Sequence, residues 1–440
     1  MKSVAQRVAG IAVLFLLSFS SLAGELSASV KQDFDGYLGE LFDYFHRNPE
    51  LSLLEQKTAA RLALELRQAG FEVTEGVGGT GVVAMLENGP GPLVMVRADM
   101  DGLPVKEKTG LAYASTATQV DTAGNEVPVM HACGHDVHIT SLVGTARAMA
   151  ARRDSWAGTL MLIGQPAEER VLGAKAMMTD DLWQRFGRPD YAMAFHVKAE
   201  IPTGKISAVV GSPYSGADTV DIIIHGVGAH GAAPHRGVDP VVLGSQIVLA
   251  LQTVISRDLP PRDAGVITVG SFHAGSKHNV ISDRAHLQIT VRNDDFETRE
   301  LLLAGIKRVA ENMGRVAGLP EDKLPEVIVS TESVPPTIND DELTLRLRDA
   351  WSQQLGEGIF HTAKRKNMGA EDFPFFTTDP YIPSTYFSVG GTPPEDFQRE
   401  ADGGEPVPSH HSPLFKVAPE PAVTLGTEAT VVALLDLLSK

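Results

Sequence analysis

The stretch MHACGHDVH, residues 130–138, holds the only cysteine of the 440-residue chain, together with three histidines and an aspartate. Thiolate, imidazole and carboxylate groups are the ligands that divalent transition metals accept in proteins. Cys133 and His135 flank Gly134, in a turn that would allow both side chains to point the same way. An isolated Cys-x-His pair is more often an inert buried cysteine beside surface histidines, so a metal site requires further donors.

Further candidate donors follow short, strongly apolar segments, a pattern typical of strands buried on both faces of an α/β sheet. These donors are Asp99 and Asp101, Glu168 and Glu169, and His196. Functional groups of open α/β sheets gather beyond the carboxyl ends of the strands, so we expect these side chains at one edge. Each alone is most simply a solvated strand end. Together with Cys133 and His135 they favour a divalent-metal site.

The segments around these donors predict an α/β domain. Residues 30–70 have the periodicity of two amphipathic helices, broken at Asn48-Pro49. The runs TGVVAML, PLVMVRADM, GTLMLIGQ and YAMAFHV then predict strands of a central sheet, with a helix from His138 between two of them. The stretch 392–408, rich in proline and glycine, predicts a long loop.

A second domain interrupts this pattern. From about Ser212 the predicted order is strand, helix, strand, strand, helix, strand, which is the ferredoxin-like β-α-β-β-α-β pattern. The α/β pattern then resumes. We therefore expect a catalytic metal-binding domain over 24–211 and 333–440, with a satellite domain inserted over 212–332.

Residues 1–23 have the features of a secretion signal. Lys2 and Arg7 precede the apolar run VAGIAVLFLL, and Ser21-Leu22-Ala23 offers a small-residue cleavage site. The run is far shorter than the ~20 residues that span a bilayer. We expect an exported protein, periplasmic or secreted, without membrane insertion after cleavage. One cysteine cannot form an internal disulfide, so stability must come from the core.

The formal charge of −17 argues against a nucleic-acid partner. Binding to phosphate backbones requires clustered lysine and arginine side chains, and no basic stripe occurs.

The motifs resemble those of the amidohydrolase branch of the dinuclear-metal aminoacylase and carboxypeptidase family, which includes hippurate hydrolases, auxin-conjugate hydrolases and N-acyl-amino-acid deacetylases. The matching stretches are, in chain order, RADMDGLP, MHACGHDVH, GQPAEE, FHV, GVGAHGAAPH, HNVI, MGAEDF and HHSPLF. The resemblance implies a metallopeptidase-like catalytic domain with a central mixed sheet, and a satellite domain that serves as a lid or for dimerisation. This agrees with the domain layout above.

The resemblance also implies a centre of two divalent ions, zinc or manganese, with cobalt or nickel as alternatives. The implied ligands are Cys133, His135, Glu169, His196 and His411. A Cys133 thiolate that bridges two ions would explain a reduced lone thiol in an exported protein. His410 becomes the ligand if the register shifts by one residue, although the Ser412-Pro413 that follows favours His411.

Catalytic roles are likewise implied by the resemblance. Glu168 takes the place of the general base beside metal-activated water. Asp101 would orient a ligand imidazole, as Asp136 and His138 could, although a strand-end cap accounts equally well for Asp101.

Substrate contacts are implied in the satellite domain. His230 would close over the substrate, often from a partner subunit, and Asn279 and Arg292 would grip its carboxylate. A surface ion pair is the simpler role for Arg292. Two departures from the family pattern affect this region and the pocket wall: Ser282 replaces a proline, and Arg170 with Val171 replaces glycines.

The predicted function is metal-dependent hydrolysis of an N-acyl amino acid or a related conjugate. A metallo-carboxypeptidase or dipeptidase with the same site is the alternative, since both need the same water, base and carboxylate clamp. A non-catalytic metal- or ligand-binding periplasmic protein would not need Glu168, and a structural zinc site would be closed by four ligands. The resemblance also allows a homodimer through the satellite domain.

Overall fold

The computed structural model describes residues 24–362 and 365–440. The predicted secretion signal lies outside the described residues. The chain forms two compact units, of which the second comprises Tyr214–Ile338 and Arg365–Pro374, and the first contains the other described residues. The second unit includes the expected 212–332 segment apart from Ser212 and Pro213, and extends beyond it.

The strands of the two main sheets are, in chain order, β1 (Glu72–Val77), β2 (Gly81–Asn88), β3 (Leu93–Asp99), β4 (Gly158–Gln165), β5 (Tyr191–Pro202), β6 (Ile206–Ser207), β7 (Gly216–His225), β8 (Gly265–Ala274), β9 (Arg284–Asn293), β10 (Glu326–Val329) and β11 (Ser384–Thr392). The α-helices that lie wholly within the described residues are α1 (Gly39–Arg47), α2 (Gln56–Gln68), α3 (His135–Ala150), α4 (Gly173–Thr179), α5 (Leu182–Phe186), α6 (Pro240–Thr253), α7 (Phe296–Val316), α8 (Asp341–Leu355), α9 (Pro374–Thr377), α10 (Pro394–Ala401) and α11 (Pro419–Leu437); residues 24–33 are also helical.

The first unit is built on a seven-stranded mixed sheet with the order β1-β2-β4-β3-β5-β11-β6. The central pairs β3–β4, β3–β5 and β5–β11 are parallel, and the outer pairs are antiparallel. Strand β3 is buried along nearly its whole length, as its continuous apolar run predicts. Helices α3 and α11 are largely buried and pack against each other, so the parallel strands lie in the core. The predicted α/β class with a central mixed sheet is confirmed.

The second unit has the predicted β-α-β-β-α-β order. Its four strands form an antiparallel sheet with the order β8-β9-β7-β10, and alternate residues of β7 and β9 face helices α6 and α7. Both helices begin at aspartate caps, because Asp239 and Asp295 accept hydrogen bonds from the first-turn amides.

One described helical segment, Pro240–Asp258, is long and apolar enough to cross a membrane by length and composition alone. Its Leu243, Ile247 and Leu251 side chains are buried in the core of the second unit. One face of the segment therefore belongs to this core, whereas Val241, Val242 and Leu249 are exposed.

Three local predictions need correction. Helix α3 begins at His135 rather than at His138, because Gly134 adopts the left-handed conformation that ends the preceding turn. Strand β5 continues past His196 to Pro202, so His196 does not end its strand. The predicted loop after Thr392 contains helix α10, whose N-terminal Pro394 suits a first helical turn.

Candidate metal centre

The sheet of the first unit aligns the candidate donors at one level. The register pairs Asp99, the last residue of β3, with Gln165, the last residue of β4. It also pairs Arg97 with Ala194, so His196 lies level with Asp99. The predicted meeting of strand-end groups therefore occurs even though β5 continues.

A tight turn adds the Cys133 and His135 side chains. Gly134, between them, has φ of +89°, and a Cβ atom there would lie 2.4 Å from Val197 Cγ1. Only glycine therefore fits the turn without movement of a buried strand. His135 and Asp136 then occupy the first turn of α3, where its free amides and dipole favour negative groups.

The five predicted ligands fall into two groups of potential ligand atoms that share Cys133. The atoms of Cys133, His135 and His196 all lie within 4.8 Å of one another, as do those of Cys133, Glu169 and His411. The Sγ of Cys133 is 3.4 Å from His196 Nε2. The structure thus brings together all the predicted ligands, and Cys133 is the member common to both groups.

The contacts made by Nδ1 indicate which imidazole nitrogen each histidine offers. The Nδ1 atom of His196 lies 2.6 Å from Val197 O, so it donates there and leaves Nε2 available toward Cys133. The Nδ1 atom of His135 lies 3.3 Å from Asp101 Oδ1, and its Nε2 faces Glu168 and Glu169 at 3.8 and 3.9 Å. Both histidines therefore present Nε2 to the centre, as metal ligands do when another group holds Nδ1.

Several acidic side chains are buried together at the centre, and this raises the pKa of two of its groups. Burial raises the pKa of Glu169 to about 7, against the lowering effect of His135. Burial, with the Glu169 and Glu168 carboxylates, also raises the pKa of the Cys133 thiol well above its usual range. A divalent cation would reverse both effects by stabilising the anionic forms.

Three buried atoms of Glu169 and His135 lack hydrogen-bond partners among the described residues, namely Glu169 Oε1 and both ring nitrogens of His135. Buried polar atoms are rarely left without a partner. Soft and hard donors together, with orphaned atoms on an imidazole and a carboxylate, fit a transition-metal site.

Asp101 supports the backbone of Glu168 and Glu169. It is fully buried, and its Oδ1 and Oδ2 atoms accept the backbone N–H groups of Glu168 and Glu169, each at 3.1 Å. The Ser52 hydroxyl donates to Oδ2 at 2.6 Å. Asp101 therefore contacts both the His135 ring and the Glu168-Glu169 backbone, which is more than a strand-end cap.

A second buried network fixes the strand that carries His196. Arg97 and His138 contact opposite oxygens of Asp99, at 2.7 and 2.5 Å. Burial alone would raise the pKa of Asp99, but Arg97, His135 and His138 outweigh it and hold that pKa well below its usual range. His138 Nε2 accepts the N–H of Val197 at 2.9 Å, so the network ends beside His196.

The structure separates the roles of His410 and His411. His410 Nε2 accepts the Ala199 amide at 3.1 Å, which ties that ring to the protein backbone, and its Nδ1 lies 3.7 Å from Cys133 Sγ. His411 Nε2 lies 3.3 Å from Glu169 Oε2 and belongs to the second donor group. This placement favours His411 as the ligand.

The satellite-domain candidates do not all meet within the second unit. His230 pairs with Val280 in a short ribbon, and the Gly231 amide donates to Asn279 O, so His230 and Asn279 are neighbours. The ribbon extends beyond Arg284, the first residue of β9, whereas Arg292 is near the other end of this strand. From Arg284 to Arg292 is roughly 27 Å along an extended strand. One small carboxylate cannot contact both Asn279 and Arg292 of one unit.

Arg292 has no hydrogen bond or ion pair with a described residue, so the ion pair considered above is not formed within that part of the chain. The neighbouring carboxylate, Asp218, is held by Arg299. The Nε and Nη2 atoms of Arg299 donate to Asp218 Oδ2 and Oδ1 at 2.9 and 2.6 Å. Burial lowers the pKa of Arg292, and Asp218 partly offsets this. A half-buried guanidinium without a partner suits the binding of an anion.

Sequence reasoning missed a buried cluster beneath α3. His46 Nδ1 lies 2.7 Å from Asp136 Oδ2, and His46 Nε2 lies 3.3 Å from Glu107 Oε1. Burial disfavours the imidazolium, but the hydrogen bonds to Asp136 and Glu107 prevail and raise the pKa of His46 to about 9. Asp136 therefore anchors the helix through His46 rather than orienting a ligand ring.

The cluster also reaches the His411 loop. The residue after Glu107, Lys108, donates its amide to Pro413 O at 2.8 Å, and the His411 amide donates to Ala132 O at 2.8 Å. No sequence signal links His46 to this site, because the contacts join segments far apart in the chain.

Comparisons with known proteins agree with this site. A model of peptidase family M20/M25/M40 matches residues 95–402. A hippurate hydrolase from Campylobacter jejuni is 35% identical, covering 78% of this chain and 86% of the relative. Thermostable carboxypeptidase 1 from Saccharolobus solfataricus is 34% identical, covering 78% of this chain and 83% of the relative.

Among solved structures, the YXEP protein of Bacillus subtilis, described as a dinuclear metal binding peptidase from the M20 family, superposes with a TM-score of 0.74. It is 26% identical, and the match covers 92% of this chain and 99% of that one. The matched length, the identity and the donor geometry place the chain in one family. The protein belongs to peptidase family M20/M25/M40 and is a metal-dependent amidohydrolase.

Proposed function

We propose that this amidohydrolase cleaves the amide bond of N-acyl amino acids or related conjugates, with two divalent ions held by Cys133, His135, Glu169, His196 and His411, and with Glu168 as general base. The observation that carries the proposal is the pair of donor groups that share only Cys133. A thiolate between two groups suits a bridging ligand. Glu168 belongs to a further group with His135 and Glu169, but the two groups that share Cys133 are complete without it.

The softness of the Cys133 thiolate favours zinc, and the resemblance also allows manganese; either ion, held by these residues, would acidify a water molecule and polarise the scissile carbonyl. Glu168 accepts the proton of the attacking water and later delivers it to the leaving amine. Its Oε2 lies 3.8 Å from His135 Nε2, and its amide is held by Asp101. Asp101 keeps the base aimed and orients His135 at the same time.

Recognition of the amino-acid carboxylate is assigned to Arg292. Its guanidinium lacks a partner among the described residues and can form a bidentate pair with a carboxylate. A carboxylate held there would align the amide, so recognition and orientation would be coupled.

We further propose a homodimer through the second unit, in which His230 and Asn279 come from the partner. The separation of Asn279 from Arg292 along one unit supports this arrangement. Sedimentation velocity tests it directly, since a monomer at assay concentration would exclude a shared site.

Export of the chain is proposed from Lys2, Arg7 and the apolar run that follows them. Fractionation of the producing cells, with N-terminal sequencing of the exported protein, tests cleavage after Ala23.

A metallo-carboxypeptidase or dipeptidase is the second candidate, supported by the similarity to a thermostable carboxypeptidase. Hydrolysis of N-acyl amino acids should be compared with that of dipeptides and longer peptides, using protein reconstituted separately with zinc, manganese, cobalt and nickel. Faster hydrolysis of N-acyl amino acids supports the proposed function. Higher kcat/KM for peptides assigns the chain to the second candidate.

A further inference from the structure

A buried glutamate from a distant segment contacts the turn that carries the catalytic carboxylates. Glu55 immediately precedes helix α2 and is fully buried. Its Oε1 accepts the Ala167 amide at 2.8 Å and the Leu53 amide at 3.0 Å. Its Oε2 accepts the Thr80 hydroxyl at 2.6 Å. Glu55 therefore joins three separate segments at one carboxylate.

The contacted turn has an unusual backbone. Ala167 and Val171 have φ of +49° and +51°, on either side of a short 3₁₀ turn that contains Glu168 and Glu169. Residues with a Cβ atom avoid this left-handed conformation, and branched valine most of all. Surrounding contacts must hold such a turn in place.

Three consecutive amides of this turn point to buried carboxylates. The Ala167 amide is held by Glu55, and the Glu168 and Glu169 amides are held by Asp101. Successive backbone amides form a concave anion-binding surface, and here the protein itself supplies both anions. Loss of the Glu55 carboxyl group would leave the Ala167 amide, at the start of the turn, without its partner.

We propose that Glu55 is a positioning residue, which fixes Ala167 in its left-handed conformation and so sets the aim of Glu168 and Glu169. This inference rests on the proposed function for its effect on turnover. Its effect on metal binding requires only that Glu169 is a ligand.

The proposed role depends on the reach of the side chain. Burial, and secondarily Asp101, raise the pKa of Glu55 to about 7, so a neutral side chain of equal length is a close substitute. Glutamine keeps an oxygen for the Ala167 amide, and its NH₂ group can donate to the Thr80 hydroxyl, which is free to rotate. Aspartate keeps the charge but is one methylene too short.

Glu50 supplies a matched control. It is a buried glutamate of the same segment whose carboxylate accepts the Thr58 amide and hydroxyl at 2.8 and 3.0 Å. It makes no hydrogen bond to the 167–171 turn within the described residues. Glu50→Ala therefore removes a comparable buried carboxylate without touching the turn.

The test compares Glu55→Ala, Glu55→Gln, Glu55→Asp and Glu50→Ala. At saturating metal, Glu55→Ala and Glu55→Asp should lose kcat by about 10²-fold with KM little changed, because the reacting groups are misplaced. Glu55→Gln and Glu50→Ala should keep kcat. Titration of the metal-free proteins with Co²⁺ alone, followed by visible absorption, should show about 10-fold weaker binding for the same two Glu55 variants.

Two results would overturn the proposal. If Glu55→Ala has the same kcat as Glu50→Ala, and also the same Co²⁺ affinity, Glu55 is a purely structural residue. Full activity in Glu55→Asp with loss in Glu55→Gln would assign its effect to charge rather than reach. If Glu55→Ala does not fold, the glutamine and aspartate variants decide. The Co²⁺ titration needs no substrate. It therefore tests the role of Glu55 even if the proposed function, hydrolysis of N-acyl amino acids, is wrong.

Discussion

The metal centre of the first unit and the substrate-contact candidates of the second unit differ in how firmly the protein holds them. Asp101 and Asp99 are fully buried, and each contacts two or more polar groups that fix the ligands. In the second unit, His230 and Asn279 are exposed, and Arg292 has no polar partner among the described residues.

The difference indicates a division of labour. Under the proposed function, the groups that perform the chemistry are preorganised, since misplacement of reacting atoms reduces the rate steeply. Under the same proposal, the groups that recognise the substrate gain their polar partner only when the substrate binds. Substitutions in the first unit should therefore reduce stability, or reduce turnover of every substrate. The effect of substitutions in the second unit should depend on whether the substrate carries a carboxylate.

The largest expected effect is that of Glu168→Gln, which keeps the size of the side chain and removes its basicity. It should retain metal and substrate binding and lose ~10²–10⁴-fold in kcat. Steady-state kinetics with elemental analysis of the same sample measures both. A wild-type kcat in Glu168→Gln would show that another residue is the general base. Asp101 is then a poor substitute, because its oxygens already accept the Glu168 and Glu169 amides.

Arg292→Ala tests the substrate-dependent side of the comparison. Loss of a charge-assisted pair should reduce kcat/KM for N-acyl amino acids by about 10–100-fold. The loss should be much smaller for the matching substrates whose carboxylate is replaced by a neutral carboxamide. Arg284→Ala, an exposed arginine at the other end of β9, is the matched control. Equal losses on both substrates by Arg292→Ala would show that it does not bind the carboxylate.

The last expected effect concerns stability and its pH dependence rather than turnover. The pKa of His46 is raised from 6.5 to about 9, so its contribution is fully present below pH 6.5 and is lost as the pH rises to 9. This shift corresponds to roughly 3 kcal/mol of unfolding free energy. The groups facing His46 are Asp136, Glu107, His131 and Tyr113.

His46→Gln should be less stable than wild type at pH 6 and should approach it near pH 9. Denaturant unfolding of the metal-loaded protein across this range measures the difference, with His273→Gln, an exposed histidine, as the control. A constant difference between His46→Gln and wild type from pH 6 to 9 would contradict the ion-pair account.

The sequence predicts the class of fold because its signals are local and strong. Apolar runs such as PLVMVRADM are typical of buried strands, and the order of strand and helix segments from Ser212 predicts the β-α-β-β-α-β unit. It also predicts that the candidate donors Cys133, His135 and Glu169 meet at one edge of the sheet, because they stand at turns or after strands; their role as ligands is implied by the resemblance. The start of α3 was misplaced because Gly134, the residue that ends the turn, lies inside the metal motif.

Among the supports behind the proposed ligands, Asp101 is implied by the resemblance, but Glu55 and His46 could not be predicted. Glu55 lies in the apolar stretch LSLLEQ and is 112 positions from the amide it holds, so no spacing reveals the contact. His46 is 90 positions from Asp136. Val171 is the exception, because its substitution for a glycine was visible in the sequence, and the structure shows the left-handed backbone that glycine would adopt without strain.

The most direct test of the account is metal reconstitution of the wild-type chain and Cys133→Ala, each first stripped of metal. Binding of Zn²⁺ or Mn²⁺ and hydrolysis of an N-acyl amino acid are followed in the same titration. The account predicts two ions per wild-type chain, with full activity only when both are bound, and loss of this stoichiometry in Cys133→Ala. Full hydrolysis by metal-free protein, or two tightly bound ions and normal turnover in Cys133→Ala, would contradict it.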